Sequence, residues 1–387
     1  MSDLTLVVFS HLRWDFVYQR PQQIMSRFAK KYPVIFIEEP VFDSSWTGWE
    51  ISAPLPNLLV YKPHTEFPAR GFTSDQFPVL QKLLETLLAG LDRYVAWLYT
   101  PMAMPLVETL QPEAIIYDCM DELSLFLGAP PQLVELEDRL IRSADLIFTG
   151  GPSLFKLKKS RNANTYCFPS SVDADHFRQA ANRGNDSWRV TESHEQALLP
   201  HPRLGFFGVI DERVDLRLLD EMADKRPLWQ IIMVGPVVKI DQSILPKRPN
   251  LHYFGQRSYR DLPSFLVGWD VCLLPFALYD ATRFISPTKT LEYMAAGQPI
   301  VSTPITDVAE PYGEVVYLAA SAAGFCKACE QALNESRAQR HSRRQKMQDI
   351  VAHTSWEETF QQMERLLLGV TEEMKDSRGA TTVPLAS

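Results

Sequence analysis

Thr288, Lys289 and Glu292 combine, within about one helical turn, the residue types that bind phosphate and sugar hydroxyl groups. Ser286 and Pro287, just before them, predict the N-cap and the first position of a helix. A helix N-terminus carries about half a positive charge, so a lysine there is mildly unfavourable unless an anion is bound. Free N–H groups, the Thr288 hydroxyl and the Lys289 ammonium would then converge on a phosphate.

Glu292 lies three residues after Lys289, so both side chains project from one face of the predicted helix. A carboxylate one turn deeper is well placed to accept hydrogen bonds from sugar hydroxyl groups. The three residues therefore suit a nucleoside diphosphate with its ribose. The alternative is an ordinary amphipathic helix with a Lys–Glu surface pair, and this segment alone leaves both interpretations open.

Short apolar runs flank this helix, DVCLLPF at 270–276 and PIVST at 299–303, and they predict strands. Similar runs alternate with helical patterns along most of the chain. Continuous apolar strands alternating with helices indicate parallel sheets covered on both faces. In such sheets ligands bind beyond the carboxyl ends of the strands, which is where this helix begins.

The alternation is interrupted by a polar stretch, which we interpret as a linker between two doubly wound domains. A chain of 387 residues is long enough for two, since single cores stop growing near about 250–300 residues. The last helical pattern is expected to pack back on the N-terminal domain. The predicted divisions are an N-terminal domain at 1–177, a linker region at 178–202, a C-terminal domain at 203–350, a C-terminal helix at 351–370 and a disordered tail at 371–387.

Composition narrows the class of protein. A net charge of −8 argues against general nucleic-acid binding, and 45% hydrophobic residues are typical of a soluble globular protein. The Cys-x-x-Cys at 326–329 lacks the further ligands of a zinc site, so we predict no metal site. Neither a signal peptide nor a membrane span is evident, which predicts a cytoplasmic location. The basic runs at 156–161 and 337–346 are interpreted as solvated helix faces, with peripheral contact to anionic lipids of the inner membrane as the alternative.

Several stretches, taken together and in order, resemble the GT-B glycosyltransferases of the group 1/4 type. The Pro-Thr-Lys…Glu helix is similar to the donor-site helix of a subgroup that includes exopolysaccharide and teichuronic-acid-type transferases. The sequence departs from the pattern of many retaining members, because Phe284 stands where they carry the first of two glutamates. The stretches are FPSSVDADHF (168–177), LGFFGVIDERVDLRLLDEMA (204–223), IIMVGP (231–236), LHYFGQRSYRDLPSFLVGWDVCLLPF (251–276) and SPTKTLEYMAAGQPIVST (286–303).

The resemblance implies a fold of two Rossmann-like domains facing across a cleft, with acceptor binding in the first and nucleotide-sugar binding in the second. It also implies a UDP- or GDP-linked sugar as donor, with no separate cofactor. Gly208 would let the chain approach the phosphates, as a residue without Cβ can. The remaining donor-site roles implied are Glu292 at the ribose, Lys289, Thr288 and Arg213 at the diphosphate, and Arg257 and Ser258 beside the base.

The loop after the first strand carries candidate acceptor-binding residues. His11 sits at the carboxyl end of that strand, where a catalytic base would be expected, although a loop histidine bonded to backbone is an equal alternative. Aromatic rings stack on sugar faces and arginines donate to hydroxyl or phosphate groups. We therefore expect Arg13, Trp14 and Arg20 to bind the acceptor, or else to form a packed lid over the first helix.

Three carboxylates, Asp118, Asp121 and Glu122, follow another predicted strand. Clustered carboxylates repel one another, which raises a pKa and favours proton abstraction near neutral pH. We predict Asp121 as the general base and His11 as the second candidate, although Asp121 could equally be a helix N-cap.

The sequence thus predicts a glycosyltransferase that moves a sugar from a nucleoside diphosphate sugar to a glycan or lipid-linked hydroxyl group. Two alternatives stay open at this stage. One is a nucleotide-sugar epimerase on the same fold, which would need no acceptor. The other is a catalytically silent binding subunit, against which the presence of both Lys289 and Glu292 argues.

Overall fold

The computed structural model describes residues 4–180 and 191–380, and these divide into two compact units. The main segment of the second unit begins at Pro169, earlier than the domain boundary predicted at 177. The first unit comprises the described residues up to Ser124, Gly128–Phe168 and the C-terminal helix from Glu357; the second comprises Leu125–Leu127 and the described residues of Pro169–Trp356.

The elements alternate as the apolar runs predict. The strands are β1 Leu4–Ser10, β2 Val34–Glu38, β3 Val41–Phe42, β4 Gly48–Leu55, β5 Leu58–Thr65, β6 Arg93–Leu98, β7 Ile115–Cys119, β8 Leu146–Thr149, β9 Thr165–Cys167, β10 Arg203–Phe207, β11 Gln230–Val234, β12 Leu251–Tyr253, β13 Val271–Leu274, β14 Ile300–Ser302 and β15 Val316–Leu318. The α-helices are α1 Arg20–Phe28, α2 Phe77–Leu88, α3 Met104–Val107, α4 Leu133–Ser143, α5 Pro152–Lys158, α6 Ala174–Arg178, α7 His194–Ala197, α8 Leu216–Lys225, α9 Leu262–Leu266, α10 Thr288–Ala295, α11 Thr306–Tyr312, α12 Ala322–Leu333, α13 Arg337–Ala352 and α14 Trp356–Ala380.

The first unit holds a sheet whose strands run in the order β3-β5-β2-β1-β6-β7-β8-β9, with β4 paired antiparallel to β5. The other pairs are parallel, and every residue of β1 is buried. A central parallel strand covered on both faces has to be apolar throughout, which explains the run LTLVVF. The carboxyl ends of β1 and β7, which carry His11 and Asp121, therefore lie at one edge of this sheet.

The second unit holds a parallel sheet of order β12-β11-β10-β13-β14-β15. The strand order reverses between β10 and β13, so the loops after these two strands leave to opposite sides. Such a switch point is where open α/β sheets bind ligands. Helix α10 connects β13 to β14 and so begins at this edge.

The stretch predicted as a linker is only partly a connection. Residues 181–190 lie outside the described part of the chain, but α7 follows them and buries Gln196. The Gln196 amide donates to the carbonyl of Phe265 at 2.8 Å and its oxygen accepts from Trp269 Nε1 at 2.9 Å. These hydrogen bonds anchor the end of the predicted linker in the second unit, a role that its polar composition does not reveal.

The C-terminal helix is longer than predicted. It continues to Ala380, and Thr371 is buried with its hydroxyl donating to the Leu367 carbonyl at 3.1 Å. Helix α14 therefore includes residues 371–380 of the predicted tail, and 381–387 lie outside the described residues.

Helix α14 packs on the first unit. The Phe360 ring meets the Phe28 ring edge-on at a centroid distance of 4.9 Å. Glu364 accepts hydrogen bonds from Lys31 Nζ at 2.6 Å and from the Tyr32 hydroxyl at 2.9 Å. Apolar and charged contacts together thus hold α14 against α1 and the turn that follows it.

Candidate active site

Two glycines allow the loops that follow β10 and β11 to approach each other closely. Gly208 has φ +139° and Gly235 has φ +149°, in the region that favours glycine. The N–H of Gly208 donates to the Val234 carbonyl at 2.8 Å. A Cβ on Gly235 would lie 1.9 Å from the Gly208 carbonyl oxygen, which is backbone and cannot move aside. The sheet edge therefore presents bare backbone where an anionic ligand can approach.

Helix α10 begins one residue later than predicted. Pro287 is extended and acts as the N-cap, without a side-chain capping bond, so Ser286 is not the N-cap. The Ser286 carbonyl instead accepts from the Ser170 hydroxyl at 2.7 Å, which holds the residue outside the helix. Further along, the Tyr293 hydroxyl accepts from the N–H of Phe207 at 3.0 Å and fixes α10 against the end of β10. The first turn of the helix thus lies beside Gly208.

The Lys289 side chain lies directly over Gly208. A Cβ added to Gly208 would meet Lys289 Cε at 1.9 Å and Nζ at 2.6 Å. The Lys289 ammonium also lies 5.6 Å from the centroid of the Phe206 ring. Two stretches singled out separately in the sequence therefore meet in one place, and the absence of a side chain at position 208 makes the contact possible.

Glu292 is buried one turn deeper on α10, with 8% of its surface exposed. Burial raises the pKa of its carboxyl to about 7, and the neighbouring Lys289 ammonium opposes this rise. Thr288, in the first turn, is half-buried. Lys289, Thr288 and Glu292 are thus brought together as predicted from their spacing, and the site can offer a cation, a hydroxyl and a carboxyl to a ligand.

Arg213 lies in the loop after β10 but is already engaged. Its guanidinium binds both oxygens of the buried Asp211, with Nη2 at 2.7 Å from Oδ2 and Nε at 3.0 Å from Oδ1. About a quarter of its side chain is exposed. The geometry holds Arg213 rigidly, so a contribution to a diphosphate would be shared with Asp211.

Arg257 and Ser258 follow β12, two strands away from β10. The guanidinium of Arg257 pairs with Glu195 and lies over the Phe265 ring, and the Ser258 hydroxyl donates to Asp261 at 2.7 Å. Both side chains are therefore bonded to other residues of the second unit. Recognition of a base at this position would therefore depend on backbone groups of the loop rather than on these side chains.

Two of the three predicted acceptor-binding residues are buried in the first unit. Trp14 is 9% exposed, and its ring packs edge-on against Phe36 at 5.2 Å. Arg20 is 5% exposed, and it binds Asp118 Oδ1 at 2.9 Å and the Phe168 carbonyl at 2.7 Å. This burial favours the alternative left open by the sequence, in which Trp14 and Arg20 pack over the first helix.

Arg13 remains accessible, with 36% of its side chain exposed. It binds Glu38 Oε2 at 2.9 Å. The next residue, Glu39, was not singled out from the sequence, yet burial raises the pKa of its carboxyl to about 7 while Arg13 opposes the shift. On the loop that carries Arg13, Tyr18 is 40% exposed and offers the aromatic surface that the buried Trp14 does not. Glu39 stands out only once the fold is known.

The three carboxylates at the end of β7 and in the loop after it do not form a cluster of repelling charges. Asp118 is paired with Arg20, and Glu122 binds the buried Lys158 ammonium at 2.5 Å. The repulsion argument for a raised pKa at Asp121 therefore fails, because buried cations neutralise its neighbours. Asp121 is half-buried in the loop, and Cys119 Sγ donates to its carbonyl at 3.6 Å.

Lys158 comes from a basic run that the sequence suggested was a solvated helix face. It is 1% exposed, and its ammonium also binds both oxygens of Glu137 at 2.7 Å. The Tyr117 hydroxyl donates to the same Glu137 at 2.8 Å. This network joins α4, α5 and the end of β7, and so holds the Asp121 loop in place.

His11, the second candidate base, is half-buried directly after β1. Strand β6 separates β1 from β7, so His11 and Asp121 stand at the same sheet edge two strands apart. Within the described residues, no three histidine, cysteine or acidic side chains sit together as metal ligands. No helix in the described part of the chain has the length and apolarity to cross a membrane.

Comparison with known proteins identifies this arrangement. Residues 201–335, which include β10 to β15 and Lys289, match the family model for glycosyl transferases group 1. The teichuronic acid biosynthesis glycosyltransferase TuaH of Bacillus subtilis (strain 168) is 25% identical over 279 residues, covering 67% of this chain and 68% of the relative. The resemblance predicted from the sequence is confirmed.

Solved structures share the fold over nearly the whole chain. Sucrose-phosphate synthase from Thermosynechococcus elongatus superposes with a TM-score of 0.73 at 13% identity, covering 95% of this chain and 99% of that one. An Escherichia coli structure described as trehalose-6-phosphate bound with UDP-2-fluoro glucose gives 0.67 at 14%, covering 95% and 99%. The UDP-forming alpha,alpha-trehalose-phosphate synthase of Burkholderia vietnamiensis gives 0.66 at 13%, covering 94% and 99%.

These two doubly wound units define a protein of the GT-B class. The chain is a nucleotide-sugar-dependent glycosyltransferase, and the residues that match the group 1 model lie in the second unit. The epimerase and the silent subunit considered from the sequence are not favoured by these matches.

Proposed function

We propose that the second unit binds a UDP- or GDP-linked hexose through Lys289, Thr288 and Glu292, and that the sugar passes to a hydroxyl group of a glycan or lipid-linked acceptor. The observation that carries the donor site is the Lys289 ammonium lying over Gly208 at the start of α10. A cation and a helix N-terminus there can stabilise the negative charge that develops on the leaving diphosphate.

Glu292 is proposed to bind the ribose hydroxyl groups. Hydroxyl groups donate to the ionised carboxylate, and burial strengthens such bonds relative to those made in water. Glu292 neighbours Lys289 on the same face of α10, so a ribose bound by Glu292 would lie beside a diphosphate bound by Lys289. Two of the structural neighbours carry UDP in their descriptions, which supports uridine as the first base to test.

For the acceptor we propose Asp121 as the general base, with His11 as the second candidate. Asp121 follows the carboxyl end of β7 on a loop that the Lys158 network fixes. A fixed carboxylate keeps its geometry from substrate binding through proton transfer, which is what a base requires. The name of the Bacillus relative supports a polysaccharide or lipid-linked glycan as the acceptor class.

Peripheral contact with an anionic membrane is proposed through the exposed basic residues of α13. Arg337, Arg340 and Lys346 are all exposed. Lys346 is already paired with Glu314 at 2.9 Å, which reduces the charge that this face offers to lipid. Sedimentation with vesicles containing anionic lipid, in which an R337Q/R340Q variant should bind less well than wild type, tests this contact.

Incubation with a panel of UDP- and GDP-linked sugars, followed by product analysis, tests the proposed function. Slow release of the nucleoside diphosphate and free sugar, and faster release with an acceptor, is the expected outcome. Interconversion of the sugar without release would instead indicate an epimerase. The absence of binding to every donor would indicate a silent subunit and overturn the proposal.

A further inference from the structure

The loop that joins β10 to α8 is braced on both sides at the donor edge. Ile210 forms a parallel bridge with Val237, and Val214 forms an antiparallel bridge with Phe276. The N–H of Ala277 also donates to the Arg213 carbonyl at 2.8 Å. Side chains between these bridges are therefore held in fixed positions just beyond Gly208.

Glu212 lies between the two bridges and is 88% buried, since only 12% of its side chain is exposed. Neither of its carboxylate oxygens accepts a hydrogen bond among the described residues. Lys239 Nζ lies 3.8 Å from Glu212 Oε1, which is close enough for an ion pair but too far for a hydrogen bond. The neighbouring Asp211, in contrast, is fully satisfied by Arg213.

A buried carboxylate without donors destabilises a fold, and folds retain such groups where they serve a function. An ionised carboxylate can only accept hydrogen bonds, so the missing partners of Glu212 are donors such as hydroxyl groups. Tyr279 lies nearby: burial, and second the charge of Glu212, raise the pKa of its phenol to about 12. Lys239 is partly exposed and has φ +64°, a left-handed conformation that is uncommon outside glycine and is found at functional sites.

We propose that Glu212 determines which donor sugar is accepted, by accepting hydrogen bonds from hydroxyl groups of the transferred sugar. This inference rests on the proposed function, because it places the sugar beyond the diphosphate that Lys289 binds. The position of Glu212, four residues after Gly208 on a braced loop, gives the sugar a fixed acceptor of hydrogen bonds.

The test compares wild type with E212Q, which keeps the shape of the side chain but removes its charge. E221Q, on the exposed face of α8, is the matched control. Binding of UDP, UDP-glucose and GDP-mannose is measured by calorimetry, together with kcat/KM and the melting temperature without ligand. E212Q should lose roughly 10- to 100-fold in kcat/KM for the donor sugar, as expected for hydrogen bonds to a charged group. Its affinity for the nucleoside diphosphate alone should stay within about twofold, and its melting temperature should equal or exceed that of wild type.

The outcomes separate this inference from the proposed function. If wild type binds none of the donors, the proposed function fails and takes this inference with it. If wild type binds and turns over a donor but E212Q matches E221Q, only the role of Glu212 is overturned. A clear fall in the melting temperature of E212Q, or an equal loss of nucleoside diphosphate and nucleotide-sugar binding, would show a structural role and also overturn it.

Discussion

Replacing Glu292 with glutamine should make the protein more stable while it weakens nucleotide binding. Burial raises the pKa of Glu292 from 4.5 to about 7. The folded state therefore holds a proton that the unfolded state releases, so the stability that the protonated group contributes is fully present below pH 4.5. That stability is lost as pH rises through about 7. A shift of this size corresponds to about 3 kcal/mol at pH 8, since one pKa unit is about 1.4 kcal/mol.

Glutamine resembles the protonated carboxyl, so E292Q should escape this loss. At pH 8 its free energy of unfolding should exceed that of wild type by about 3 kcal/mol, a figure that already includes the attraction to Lys289, since the pKa of about 7 does. At pH 4.5 the two proteins should be nearly equal. Urea unfolding at both pH values measures the difference, with E221Q as the exposed control.

The same variant should bind UDP about 10- to 100-fold more weakly, because the amide replaces the charged acceptor of the ribose hydroxyl groups. A stability difference that is the same at pH 4.5 and pH 8 would refute the reasoning about burial. Undiminished UDP affinity in E292Q would refute the assignment of the ribose to this residue.

Three further substitutions test other parts of the site. G208A should weaken UDP binding at least tenfold by calorimetry, because the added Cβ would lie 1.9 Å from Lys289 Cε, push that side chain away and strain a backbone at φ +139°; unchanged affinity would contradict that geometry. D121N should lower kcat for transfer by about 100-fold or more with UDP affinity unchanged, and a kcat equal to wild type would rule out Asp121 as the base. K158M should lower the free energy of unfolding by about 3–5 kcal/mol in urea, because it leaves Glu122 and Glu137 buried without their cation; a loss below about 1 kcal/mol would show that the network is not stabilising.

The alternation of apolar runs and helical patterns predicted two doubly wound units, because each strand buried on both faces must be apolar along its length. The sequence also indicated that Lys289 and Gly208 belong to one phosphate site. A positive residue at a helix N-terminus and a glycine after a strand both indicate a phosphate site, and the parallel topology brings them to one edge.

Partners distant in sequence could not be predicted from local pattern. Arg20 and Trp14 have residue types that suit an exposed acceptor loop, yet Arg20 is buried against Asp118, 98 positions away. Lys158 lies in a run of basic residues that is typical of a solvated surface, and only the packing of α4 against α5 shows its buried carboxylate partners. Charge patterning reports what a side chain carries, but its burial is decided by tertiary contacts.

The residues at which helices begin and end could not be predicted from the sequence either. Ser286 is a better intrinsic N-cap than Pro287, but its carbonyl is engaged by Ser170, and the helix starts later. Thr371 lies in a polar stretch, yet its burial extends α14 past the predicted end. Local propensity predicts that an element exists more securely than it predicts where the element ends.

Titration of UDP and of the preferred UDP- or GDP-linked sugar into wild type and K289M tests the donor site most directly. K327M, on α12 of the same unit, is the matched control. We predict that K289M loses at least tenfold in affinity for the nucleoside diphosphate with a melting temperature within about 2 °C of wild type, while K327M binds normally. Equal affinity in K289M and wild type would show that the cation over Gly208 does not bind the diphosphate, and would contradict the donor site proposed for this enzyme.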